Sequence, residues 1–225
     1  MILVDVTRQL SPTARSTIRR GSARARTERS DLHAVLDAGL ICHLGLVVDG
    51  SPRVLPTGYG RRGDTLYVHG STGARSLREA AAGAEVCVTV THLDGIVYAR
   101  SLFHHSVNYR SAVIHGRARG VVDADEKREA LRVITEQLAP GSWAHARLPT
   151  RRELAATAVL ALDLAEAAVK IRTGGPNDDA EDVAAGTAWS GVLPLERRWG
   201  TPQPAPDLPP DVEVPAHVRD RRWPA

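Results

Sequence analysis

Apolar positions in this chain fall in short runs broken by turn residues, the pattern of strands joined by tight connections rather than of long helices. Leu40 to Val48, LICHLGLVV, is a continuous apolar strand, and Asp49-Gly50 after it is a strong hairpin turn into the strand that begins at Arg53. Arg53 to Thr57 and Thr65 to His69 read as half-buried strands joined by the Arg-Arg-Gly-Asp turn at 61 to 64, so three strands follow in meander order. Further strands are expected at Glu85 to Thr91, at Ile96 to Arg100 after a turn at Asp94-Gly95, and at Tyr109 to Val122 with a bend at Gly116. Val159 to Arg172 reads as the last long strand, with Lys170 and Arg172 two apart and therefore on one face.

Helical spacing is rarer. Ser30-Asp31 caps a short helix through Leu36, residues 74 to 82 form a second, and residues 151 to 157 a short fourth. Between these, Asp123 caps Ala124 to Leu138, where Ala130, Leu131, Ile134 and Leu138 keep helical spacing. Three regions result: an irregular N-terminal arm at 1–29, a body at 30–175 and a C-terminal arm at 176–225. In that last arm Asp178, Asp179, Glu181 and Asp182 read as a solvated loop, Trp189 to Pro194 as a short ordered island, and the proline-rich stretch after Thr201 as extended and largely unpacked. The fold class is mainly β with flanking helices, a small antiparallel barrel rather than a parallel α/β sheet.

Composition narrows the function. With 225 residues, 43% of them hydrophobic, the chain can bury one good core. The net charge is only +3, and 27 arginines stand against Lys127 and Lys170 alone, a bias that reads as genomic. Acidic residues interleave with the arginines and aromatics are 4%, which argues against nucleic-acid binding. Cys42 and Cys87 lie in apolar runs without C-x-x-C spacing and read as buried thiols of a cytoplasmic protein. No apolar run is long enough for a membrane span, and the first residues lack the order of a signal peptide.

The chemistry concentrates between Arg53 and Ser76. Gly70-Ser71-Thr72-Gly73 can offer backbone N–H groups and hydroxyls, Arg75 adds a cation, and a helix starts at Ser76, a combination suited to phosphate. Gly58 to Gly63 spells G-x-G-x-x-G, but these glycines lead into a strand, so the dinucleotide fingerprint is rejected. No Ser-His-Asp triad, carboxylate pair or metal cluster stands out, and the adjacent His104 and His105 would point to opposite faces.

Five ordered blocks carry a family resemblance: RVLPT at 53–57, LYVHGS at 66–71 with Arg75-Ser76, HSVNYRS at 105–111, VKIR at 169–172 and WSGVLPL at 189–195. Over roughly residues 30–200 the chain resembles the FMN-binding split barrels of the pyridoxamine 5′-phosphate oxidase superfamily, in the branch related to nitroimidazole reductases. The resemblance implies a six-stranded antiparallel split barrel, a homodimer, and FMN in a cleft between subunits. Arg53, Val54, Leu55, Pro56 and Thr57 would line the isoalloxazine; His69, Gly70, Ser71, Arg75 and Ser76 would hold the phosphate; Lys170 and Trp189 would complete the site. Relatives often place a lysine beside that arginine, where this chain has Ala74. Some relatives use a histidine near position 69 for a covalent adduct, and a deazaflavin can replace FMN. The implied activity is flavin-dependent reduction of a small, planar, electron-poor substrate such as a nitroaromatic or quinone. The competing reading is a flavin, deazaflavin or tetrapyrrole carrier without turnover. Each residue also has a plainer reading: Trp189 as a packing anchor, His69 as a surface histidine.

Overall fold

Burial alternates cleanly along residues 41–48 and 85–92, whereas 66–68 and 159–162 are buried without a break. The structure, a computed structural model, describes residues 9–10, 13–186 and 188–223; positions 1–8 and 11–12 of the expected arm lie outside the described residues. In chain order the elements are β1 (Ala25–Arg26), α1 (Arg29–Asp37), β2 (Ile41–Val48), β3 (Ser51–Arg62), β4 (Thr65–Ser71), α2 (Arg75–Ala81), β5 (Glu85–Tyr98) and β6 (Ser106–Arg117). There follow β7 (Arg119–Gly120), α3 (Ala124–Leu138), α4 (Ser142–His145), α5 (Arg151–Ala156), β8 (Thr157–Asp163), β9 (Ala167–Arg172), α6 (Ala180–Ala185), β10 (Gly191–Pro194) and α7 (Ala216–Arg219). The chain divides into two compact units, one of Met1–Gly39, Thr89–Ile114 and Ala165–Glu196, the other of Leu40–Val88, His115–Leu164 and Arg197–Ala225.

In the second unit the strands run in the order β2-β3-β4-β8-β7, each pairing antiparallel. The β2–β3 hairpin closes at Asp49 and Gly50, with φ of 53° and 72°, the left-handed pair that a two-residue turn requires. Helix α3 is capped by Asp123, whose side chain accepts from the N–H groups of Asp125 and Glu126. Its Ala130 and Ile134 are buried with Tyr67, Val121, Val159 and Ala161, and Leu131 and Leu138 pack against them. That packing explains the glycine motif. A Cβ on Gly60 would lie 2.7 Å from the backbone of Val133, and one on Gly58 would lie 2.8 Å from Leu138 Cδ1, while Gly63 turns the next hairpin at φ 57°. The three glycines serve the close approach of a helix and a turn.

In the first unit β1-β9-β6-β5 are successive neighbours, and β10 pairs antiparallel with β5. Helix α1 buries Leu32, Val35 and Leu36, and His92 on β5 is bonded through Nε2 to Val35 O at 2.9 Å.

Several expectations need correcting. Among the described residues the strands number ten rather than six, because one expected strand is split in two and β1, β7 and β10 are pieces of two to four residues that no periodicity reveals. Residues 159–172 form two strands, β8 and β9, broken at Leu164 to Glu166. Asp94-Gly95 is no turn: β5 runs straight through it, and Gly95 is needed because β10 passes so close that a Cβ would meet Leu193 O at 2.8 Å. Helix α1 starts at Arg29, with Glu28 before it in extended conformation. The proline-rich tail is extended and mostly exposed, as expected, apart from α7 and two ring contacts, His217 with His145 at 4.9 Å and Trp199 with Trp223 at 4.9 Å. Among the described residues, no helix is long and apolar enough to cross a membrane.

Candidate functional site

The hairpin turn of β2 and β3 and the start of α2 together enclose a cavity of about 330 Å³ lined by Val48, Asp49, Arg53, Leu55, Ala74, Arg75 and Ser76. Strand alternation separates most of the predicted block. Arg53 and Leu55 face the cavity, Val54 and Pro56 fall on the opposite face, and Thr57, on the same face as Arg53, does not line it. Arg75 donates to Asp49 Oδ1 at 2.5 Å and lies 3.8 Å from Glu79, with more than half of its side chain exposed. No side chain caps the first turn of α2.

Gly70 and Ser71 have structural tasks here. A Cβ on Gly70 would meet Leu77 Cδ1 at 2.6 Å, so the glycine admits α2 against β4. Ser71 Oγ accepts from Gly73 N at 3.1 Å and shapes the turn before the helix. Neither lines the cavity.

His69 stands apart. It lines a separate cavity of about 340 Å³ with Leu131, Thr135, Trp143, Arg147, Pro149, Glu153 and Thr157. Among the described residues its buried Nδ1 has no hydrogen-bond partner, and burial holds the imidazole pKa below its usual value of 6.5. A buried polar nitrogen with nothing to bond is costly and rare. The walls are fixed by local chemistry. Glu136 accepts from Gly141 N at 2.7 Å and Trp143 N at 3.0 Å, which seats Trp143. Glu153 completes a capping box with Thr150 and holds Arg147 by bonds of 2.8 and 3.0 Å; Arg147 first, then Thr150, draw its carboxyl down to about 2. A smaller cavity of about 150 Å³ shares Thr135, Trp143, Arg147 and Pro149 with this one.

Lys170 and Trp189 belong to the other unit. Lys170 donates from Nζ to Arg20 O at 2.9 Å. Trp189 is 69% exposed, with its ring 5.8 Å from that of Tyr98 and its edge over Gly191, where a Cβ would lie 2.9 Å from Cζ2. The acidic loop is corrected at Asp178: its side chain is only 3% exposed and accepts from Arg100 N, Arg100 NH1 and Ser190 Oγ at 2.8, 2.6 and 2.9 Å. Burial pushes this carboxyl up, but those donors outweigh it and hold it below its usual range. Sequence reasoning missed Asp49, Trp143, Arg147 and Asp178. Trp143 and Arg147 lie where the periodicity stops, and Asp178 sits among acids that are solvated.

The family model described as "Pyridoxamine 5′-phosphate oxidase" matches residues 28–171. The chain belongs to that family. A flavocytochrome from Azotobacter vinelandii is 38% identical, with 95% of this chain and 99% of that one covered at a TM-score of 0.89. A protein from Mycobacterium smegmatis described as binding FAD and haem is 43% identical, with coverage of 88% and 96% and a TM-score of 0.84. A candidate 5-nitroimidazole antibiotic resistance protein from Bacteroides thetaiotaomicron, 20% identical over 65% of this chain and 86% of that one at a TM-score of 0.56, shares the fold. No curated protein matches the chain. The split-barrel fold expected from the resemblance is shown, with more strands than six.

Proposed function

We propose that this family member binds a flavin at the Arg53–Arg75 cavity and a haem at the His69 cavity, and works as a flavocytochrome-type oxidoreductase. The observation that carries the reading is the unpartnered, buried Nδ1 of His69 in a cavity walled by Leu131, Trp143 and Pro149. Its lowered pKa keeps the imidazole neutral at neutral pH, the form that ligates iron. Arg147, in the same cavity, is a cation suited to a haem propionate once released from Glu153. The two similar proteins described as a flavocytochrome and as binding FAD and haem support this choice over a flavin-only reading.

At the first cavity Arg53, Arg75 and Ser76 supply two cations and a hydroxyl, the donor set a flavin phosphate or diphosphate needs. We favour FAD over the FMN and deazaflavin of the sequence reading because the 43% identical protein is described as binding FAD. Bound flavin and haem supply hydride and single-electron transfer; the chain binds, orients and shields them. A small electron-poor acceptor remains the proposed substrate class. The homodimer remains part of the reading, supported by Leu102 and Phe103, each 88% exposed.

The test is titration of cofactor-free protein with hemin and with FAD. His69→Ala should abolish the bound-haem Soret band and leave FAD affinity intact. A His69→Ala variant that binds haem like the wild type would remove His69 from the reading.

A further inference from the structure

Among the described residues, three cations of one unit lie near one another without a carboxylate partner. Residue Gly21, at φ 66°, begins the turn that leads into β1, and the absence of a side chain there leaves a notch. A Cβ at Gly21 would lie 3.5 Å from Lys170 Nζ and 3.9 Å from Arg24 Cδ, so the two cationic side chains flank the same open point. The β1–β9 register, with Ala25 opposite Lys170, brings the arm onto this strand.

Arg172, two residues on and on the same face, is 8% exposed, and its guanidinium reaches only neutral acceptors: Asn108 Oδ1, Gly174 O and Gly175 O. Burial first and the charge of Arg24 next push its pKa down. Among the described residues, no carboxylate pairs with Arg24, Lys170 or Arg172. Lys170 spends one of its three N–H bonds on Arg20 O and keeps the others. Like charges held this close repel, and an anion between them removes that repulsion. Tyr109, half-buried and opposite Arg172 in the β6–β9 register, offers an aromatic surface on the same strand pair.

We infer that Lys170 and Arg24, on either side of the notch at Gly21, form a binding site for a phosphate group of a nucleotide. The nucleotide is a phosphorylated, reduced nicotinamide dinucleotide that feeds electrons in, since the flavin phosphate already has its donors at the Arg53–Arg75 cavity. The inference rests on the redox reading above only for this choice of ligand.

The experiment measures the Kd of three probes, 2′-phospho-ADP-ribose, FAD and FMN, for wild type, Arg24→Gln and Lys170→Gln/Arg24→Gln. Thermal melts accompany each variant; Arg24 is exposed, so its single replacement keeps the test open if the double variant unfolds. The expected result is a loss of about tenfold or more for 2′-phospho-ADP-ribose, the least that removal of a charge-assisted hydrogen bond gives, with FAD and FMN unchanged. Weakening confined to 2′-phospho-ADP-ribose assigns the site to an electron donor. Weakening of FAD or FMN in folded variants would overturn the assignment to an electron donor. Equal affinities of all three probes for folded variants and wild type would overturn the inference. Wild type that binds neither flavin refutes the proposed function instead, and the 2′-phospho-ADP-ribose arm still reads the notch.

Discussion

Arg75 and His69 are where single side chains decide the chemistry. Arg75 already has a carboxylate neighbour in Asp49, and both are more than half exposed, so a phosphate gains less there than at a buried, unpaired arginine. Arg75→Ala should weaken flavin binding by about 1.5 kcal/mol, the low end for a hydrogen bond to a charged group, as read by titration of cofactor-free protein. An unchanged Kd would take Arg75 out of the site. His69 is a pH-dependent liability in cofactor-free protein. Its folded-state pKa lies below 6.5, so the neutral form is the one folding favours: stability is complete above 6.5 and falls as the pH drops through and below it. In His69→Ala that acid-side slope should flatten, measured by denaturant midpoints across the pH range; an identical slope would show that His69 protonates freely. Cys42, whose thiol burial pushes up to about 12, stays protonated and has no part in this.

At the scale of elements, the helix α3 shows what the sequence can and cannot announce. Its span, its Asp123 cap and its apolar face were legible because each is a local pattern. What was not legible is the surface it lies on: Gly58 and Gly60 looked like a motif, yet they are glycines because α3 crosses β3 within contact distance. A Cβ at Gly60 would have to displace helix backbone rather than a flexible side-chain tip. Gly60→Ala should therefore destabilise the fold by about 1–3 kcal/mol, the cost of overpacking a filled interior, read as a lowered denaturant midpoint. A midpoint equal to wild type would mean that α3 is not seated as described. The proposed flavin site divides in the same way. Arg53 and Leu55, expected beside the isoalloxazine, and Arg75 and Ser76, expected at the phosphate, line one cavity, because a hairpin and a helix start are short-range features. Val54 and Pro56 of the same block face the other way by strand alternation. Trp143 and Arg147 could not be found from spacing, since they reach the His69 cavity only through the fold.

For the whole molecule, the exposed Leu102, Phe103 and Trp189 are more apolar surface than water favours, and a homodimer would cover it. Light scattering should give twice the 24.2 kDa chain mass, and Phe103→Glu should shift it toward the monomer. A folded wild-type monomer at micromolar concentration would refute the dimer without touching either cofactor cavity. On the proposed reading one chain carries both a flavin and a haem, and the absorbance spectrum of the purified protein is the direct test. The prediction is an intense Soret band together with flavin absorption after the haem contribution is subtracted, with the Soret band lost and the flavin kept in His69→Ala. Flavin absorption with no Soret band, even after hemin is supplied, would contradict the claim.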